Sequence, residues 1–172
     1  YVVNATGGAS LAIGDSYQGG IIFWLDATGQ HGLIAATADQ STGIQWYNGN
    51  HITTGATATG IGSGAANTAT IITSQGATET DYAAGLAKAY NGGGFTDWFL
   101  PSKDEINEMY QNELDINATA TSNGGNTFTV DFYWSSSELS AYSAWSQRFI
   151  NNATSDDDKS KDSMKVRAVR AF

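Results

Sequence analysis

"DWFLPSKDEINEMYQNEL", Asp97 to Leu114, is the stretch whose reading decides the fold. Its first half is an apolar run in which Trp98 and Leu100 anchor a buried, extended segment. Its second half changes period. Ser102 followed three residues later by Glu105 is a capping box, each side chain satisfying a backbone N–H at a helix start. Asp104 and Glu105 put negative charge in the first turn, where the helix dipole favours it. Ile106, Met109, Tyr110 and Glu113-Leu114 then recur at the spacing of one buried stripe.

Upstream, "GGIIFWLDATGQHGLIAA" reads as a β-hairpin. Ile21 to Leu25 and Leu33 to Ala36 are apolar runs of strand length, joined by a turn rich in Asp, Gly and Thr. Ile44 and Trp46 share one face of a further short strand. Residues 48–78 are rich in Gly, Ala and Thr and read as a long surface excursion with a short β piece at Thr70-Ile71-Ile72-Thr73. Tyr82, Leu86 and Tyr90 then line one helix face, and Gly92-Gly93-Gly94 stops that helix. Downstream, residues after 115 read as a polar loop. Strands follow over Phe128–Ser136, Ala144–Ile150 and Lys165–Phe172. The order of hairpin, two helices and strands is that of an α+β domain with mostly antiparallel pairing.

The bulk numbers set bounds. A chain of 172 residues, 41% hydrophobic and 12% aromatic, suits one folded domain. A net charge of −9 argues against a nucleic-acid partner, which needs a basic footprint. The absence of cysteine excludes disulfides, thiolate nucleophiles and Cys-ligated metals. No run approaches the roughly 20 apolar residues of a membrane span. Tyr1-Val2-Val3-Asn4 has neither a basic start nor an apolar h-region, so no signal peptide is read and the chain is expected to be processed or cut from a longer protein. Residues 1–12 read as a tail or linker remnant and 13–172 as a single domain.

The segments "GGIIFWLDATGQHGLIAA", "DWFLPSKDEINEMY", "YWSSSE", "AWSQRF" and "VRAVRAF" resemble, in order and from about Gly14 to Phe172, the bacterial Lcl C-terminal domain family. The resemblance implies a C-type-lectin-like fold, two helices flanking small twisted antiparallel sheets with long loops, and an extracellular or bacterial cell-surface location. The tail "AWSQRFINNATSDDDKSKDSMKVRAVRAF" is also similar to variable proteins of diversity-generating retroelements. In those, a fixed frame holds positions rewritten by adenine-directed mutagenesis. Carried over, the rewritten positions are Arg148, Ile150, Ala153, Thr154, Ser155 and Met164.

Strand geometry gives that tail a physical reading. Alternate side chains point to opposite faces. Trp145, Gln147 and Phe149 are expected inward, and Ala144, Ser146, Arg148 and Ile150 outward. The expected ligand-binding residues are Leu139, Ser140, Tyr142, Ser143, Ser146, Arg148, Ile150, Asn152, Thr154, Asp156, Asp158, Lys161 and Met164. Such a mixture of aromatic, polar and charged groups is what adaptable paratopes use.

Other groups have blander readings. Asp156-Asp157-Asp158 is a weak calcium candidate, because it lacks the spaced ligands calcium needs. A solvated loop explains it better, and the sugar-binding tripeptides of calcium-dependent lectins are missing. His31 and His51 belong to no ligand cluster. Ser135-Ser136-Ser137-Glu138 lacks a nucleophile elbow and reads as a hydrogen-bonding turn. The tryptophans belong mostly to the core, with Trp46 or Tyr47 partly exposed. Arg167 and Arg170 pair with acidic groups such as Glu138 or Asp104.

The expectation is therefore a non-enzymatic binding module for a protein or glycan, without cofactor or metal. An enzymatic alternative would rest on Asp104 and Glu105, which the capping box already explains. The formylglycine-generating enzymes of the same fold work through cysteines. A third reading is a structural, self-assembling surface domain that packs as a homo-oligomer through residues 53–78.

Overall fold

The computed structural model describes residues 10–76 and 80–172. Most of the expected tail, residues 1–9, lies outside the described residues, while Leu11 packs against the core. The hairpin is present. Strands β1 (Ser16–Tyr17), β2 (Gly20–Leu25) and β3 (Gly32–Ala35) pair antiparallel, and β7 (Val169–Ala171) adds to β3, giving a sheet of order β1-β2-β3-β7. The β1–β2 turn needs positive φ at Gln18 and Gly19, and a Cβ on Gly19 would come within 2.6 Å of the Gly93 Cα.

Alternation along these strands divides their side chains between two apolar clusters. Ile22, Ile34 and Ala168 belong to one, with Trp46, Trp98, Leu100 and Trp134. Ile21, Phe23, Leu33, Ala35 and Val169 belong to the other, with Ile106, Met109, Tyr133 and Phe149. Both faces of the sheet are covered, so its strands read as continuous apolar runs rather than as alternating ones.

The helix count differs from expectation. Among the described residues there are four α-helices: α1 (Gly64–Gln75), α2 (Ala83–Ala89), α3 (Lys103–Gln111) and α4 (Glu113–Ser122). Residues 70–73, expected as strand, lie inside α1. That helix buries Asn67, Thr68, Ile71 and Gln75, a mostly polar face with no clear apolar period. The expected polar loop after residue 115 is largely α4, which buries only Ile116 and Ala120. Leu114, expected on the buried stripe, is 84% exposed because the chain breaks at Asn112 and restarts in a new phase.

The capping box at α3 forms as read: Ser102 Oγ accepts from Glu105 N, and Glu105 Oε2 accepts from Ser102 N at 2.7 Å. Glu105 also accepts from Gly62 N at 2.8 Å, tying the start of α1 to α3. Burial pushes its carboxyl above the ordinary value against these bonds.

The second sheet has order β4-β5-β6, with β4 at Phe132–Glu138, β5 at Ser143–Arg148 and β6 at Ala153–Asp158. The fold is thus α+β with two small antiparallel sheets. The strand β6 replaces the expected solvated loop. Ser135, Ser136, Ser137 and Glu138 are strand residues, all buried, rather than a turn. Arg167 pairs with Asp39 at 2.7 Å and Arg170 with Asp97, so their expected partners, Glu138 and Asp104, are corrected. Trp46 is fully buried, its Nε1 donating to Ser135 O at 2.8 Å, and Tyr47 is half-buried.

Candidate functional site

The expected face is carried by the β5–β6 hairpin, and its register sorts the candidate residues. Ser143 faces Asp158, Trp145 faces Asp156, Gln147 faces Thr154 and Arg148 faces Ala153. The six-residue span of β5 is about 17 Å long at about 3.3 Å per residue. The exposed candidates therefore lie at the two ends of the hairpin and along β6 between them.

At the first end, Leu139 is 48% and Tyr142 65% exposed. A tight turn holds them: Ser140 Oγ accepts from the N–H of Tyr142 and of Ser143, both at 3.1 Å. Beside them stands a row of rings that the sequence does not announce. His51 lies between Tyr47 and Tyr142, with centroids 4.6 Å and 5.1 Å away, and its Nε2 is 3.3 Å from Asp158 Oδ1. Asp158 also accepts from Ser160 Oγ at 2.6 Å and Ser160 N at 2.8 Å. The Ser160 bonds chiefly, with help from His51, hold its carboxyl down at about 2. His51 and Asp158 are separated by 107 residues, so no local pattern could have joined them.

Beneath this end lies a buried clamp. Lys159 Nζ is 2.5 Å from Glu138 Oε1, both side chains are inaccessible, and the ammonium also sits 4.5 Å from the Trp46 ring centroid. Glu138 accepts from Thr54 N and Gly55 N at 2.8 Å each, while Lys159 donates to Ile52 O at 3.0 Å. The loop carrying His51 is thus pinned from below. Burial works to raise the Glu138 carboxyl, but the ammonium and the N–H groups outweigh it and hold the pKa below its ordinary value.

At the second end, Ile150 is 56% exposed and Arg148 is half-buried, its guanidinium 5.4 Å from the Phe132 ring and its Nε donating to Val130 O at 3.2 Å. Asn152 closes the turn with φ of 57°, and its Oδ1 accepts from Gln147 Nε2 at 2.6 Å. Thr154 and Asp156 are exposed along β6, and exposed Lys161 pairs with Asp157.

Four expectations are corrected. Met164 is buried in the core cluster and takes no part in a surface. Ala144 and Ser146, both expected outward, are buried, Ala144 in the core cluster and the Ser146 Oγ donating to Asp157 at 2.5 Å. Trp145 is not in the core. It is half-buried, with Lys103 Nζ 3.6 Å from its ring centroid. Gln147, on the same face as Trp145, is buried, and so are Ala144 and Ser146 on the opposite face, so both faces of β5 are covered and alternation does not separate core from surface there. Phe149 is buried and stacks on Phe128 at 4.0 Å between centroids.

The calcium candidate does not converge. Asp156 and Asp158 point to one face of β6 and Asp157, buried against Ser146, to the other. Among the described residues, no three His, Asp or Glu side chains gather as a metal site. Exposed Asp104 and buried Glu105 likewise face different surroundings. Among the described residues, no helix is long and apolar enough to cross a membrane. The family model of the Lcl C-terminal domain matches residues 35–170. No curated protein matches the chain.

Proposed function

The chain belongs to the Lcl C-terminal domain family, and on that premise we propose that it is a non-enzymatic binding module with a C-type-lectin-like fold. Its ligand is a protein or glycan met outside a bacterial cell, on the bacterial surface or at a phage–host contact. The observation that carries this reading is the exposure of Tyr142 and Leu139 on a turn whose underlying loop is fixed by the buried Lys159–Glu138 pair. An exposed aromatic held in place loses little conformational freedom on binding, and such residues are typical anchors. Arg148 and Ile150 at the far end, with Thr154 and Asp156 between, supply a rim whose chemistry can change at small cost to folding. That is the arrangement a retroelement-diversified variable protein requires.

The test is a binding screen of the intact protein on glycan arrays and whole bacterial cells, comparing the native chain with Tyr142→Ala and Leu139→Ser. Loss of signal in both variants, with unchanged melting, supports the reading. Retained binding in both excludes this face.

A second reading, self-assembly as a homo-oligomer, has one observation in its favour. The outer side of α1 exposes the small residues Ala65, Ala66 and Ala69, the first and last of which line a shallow depression floored by Trp98 and Phe99. Light scattering separates the two, since a strict monomer removes the assembly reading.

A further inference from the structure

The strand β6 lies at the margin of its sheet, paired on one side with β5. The ladder fixes which of its backbone groups are free. Lys159 N donates to Tyr142 O at 2.9 Å, continuing the register in which Ser143 faces Asp158. In an antiparallel ladder, hydrogen-bonded and non-hydrogen-bonded pairs alternate. The N–H and C=O groups of Ala153, Ser155 and Asp157 therefore turn toward β5. Those of Thr154 and Asp156, and the N–H of Asp158, turn away. The Asp158 carbonyl accepts from Lys161 N at 3.0 Å. No described residue outside β6 bonds to the remaining outward groups.

The side chains along this margin have a matching period. Thr154, Asp156 and Asp158 stand on one face and are exposed. Ala153 and Ser155, on the other face, are small and half-buried. Open strand edges are templates for a further strand, and proteins often guard them with charge. Here the guard is selective. A second copy of this chain, itself carrying a net charge of −9, would set carboxylates against carboxylates. A strand with Lys or Arg at alternate positions would meet Asp156 and Asp158 instead, with small residues fitting over Ala153 and Ser155.

We infer that the outer edge of β6 is a docking site for an extended basic segment of a partner protein, which adds to the β4–β5–β6 sheet as a further strand. Main-chain bonds supply affinity and the alternating carboxylates supply selectivity, the division of labour seen in strand-addition recognition generally. The inference rests on the reading of this surface as a binding face and narrows it to one partner chemistry.

The probe is a fluorescent hexapeptide of alternating lysine and threonine, titrated by anisotropy against the full chain at low ionic strength. Two control peptides carry the same charge: one with its lysines in a block, one N-methylated at alternate amides. The alternating peptide is expected to bind and both controls to bind at least about fivefold more weakly, the loss that corresponds to one or more net hydrogen bonds. Thr154→Pro removes an outward N–H without touching the β5 ladder, as edge positions allow, and is expected to weaken the peptide by a similar factor. Asp156→Asn is expected to weaken it and to flatten its salt dependence. Absence of binding by the native chain, or equal binding of the N-methylated peptide, overturns the inference. Should Thr154→Pro fail to fold, the N-methylated peptide interrogates the same bonds from the ligand side. Cell or glycan binding that depends on Tyr142 while the alternating peptide fails removes the strand addition and leaves the broader reading standing.

Discussion

The ammonium of Lys159 meets the carboxylate of Glu138 at 2.5 Å with both side chains sealed from solvent, directly beneath the loop that presents His51. Removing one partner leaves the other buried and uncompensated. Glu138→Gln or Lys159→Met alone is expected to cost about 3–5 kcal/mol in denaturant unfolding, whereas the two combined, which keep an acceptor for the Thr54 and Gly55 N–H groups, cost less than the sum of the single changes. Equal, additive losses would contradict the clamp.

The bond from Asp158 to Ser160 and His51 gives a pH signature. Its folded pKa of about 2 lies below the ordinary 3.8. A depressed carboxyl contributes stability above the ordinary value and loses it as pH falls toward the folded value. Native protein should therefore exceed Asp158→Asn in thermal midpoint at pH 5, and the gap should close between about pH 4 and pH 2. A gap that persists below pH 2 contradicts this assignment.

Asn152 is set by backbone conformation as much as by any ligand. Its φ of 57° suits Asn or Gly and strains a β-branched residue. Asn152→Gly should be mild, while Asn152→Val should cost about 1–2 kcal/mol or more. Chemical denaturation of the two variants reads the difference directly.

Met164 and Ile150 separate core from surface within the same tail. Met164→Ala is expected to cost about 2–5 kcal/mol, as for a large core side chain. Ile150→Asn, at a position 56% exposed, should stay within about 0.5 kcal/mol. Comparable losses at both positions would mean that the tail has no free face.

These contrasts also explain what the sequence could and could not convey. The hairpin, the buried Trp98 and Leu100, and the Ser102–Glu105 box were legible because each rests on a local pattern that tertiary packing then used. The helices α1 and α4 were not, because Asn67, Thr68 and Gln75 make a polar buried face and Ile116 and Ala120 make a thin one. The strand β6 is not legible because "ATSDDD" has little strand propensity, and pairing with β5 alone selects it. In the candidate site, Tyr142, Leu139 and Ile150 could be read as exposed. The places of His51 and Lys103 could not, since each reaches the hairpin from a distant segment. The half-buried place of Trp145 is not legible either, because both faces of β5 are covered and alternation alone cannot rank them.

The central claim is that the turn carrying Tyr142 is a recognition surface. It is tested most directly by measuring equilibrium binding of native protein and Tyr142→Ala to whichever arrayed glycan or cell-surface protein the native chain retains. The account predicts at least about a tenfold loss, the size expected when an aromatic anchor is truncated, with an unchanged thermal midpoint. Undiminished binding by a fully folded Tyr142→Ala protein would contradict it.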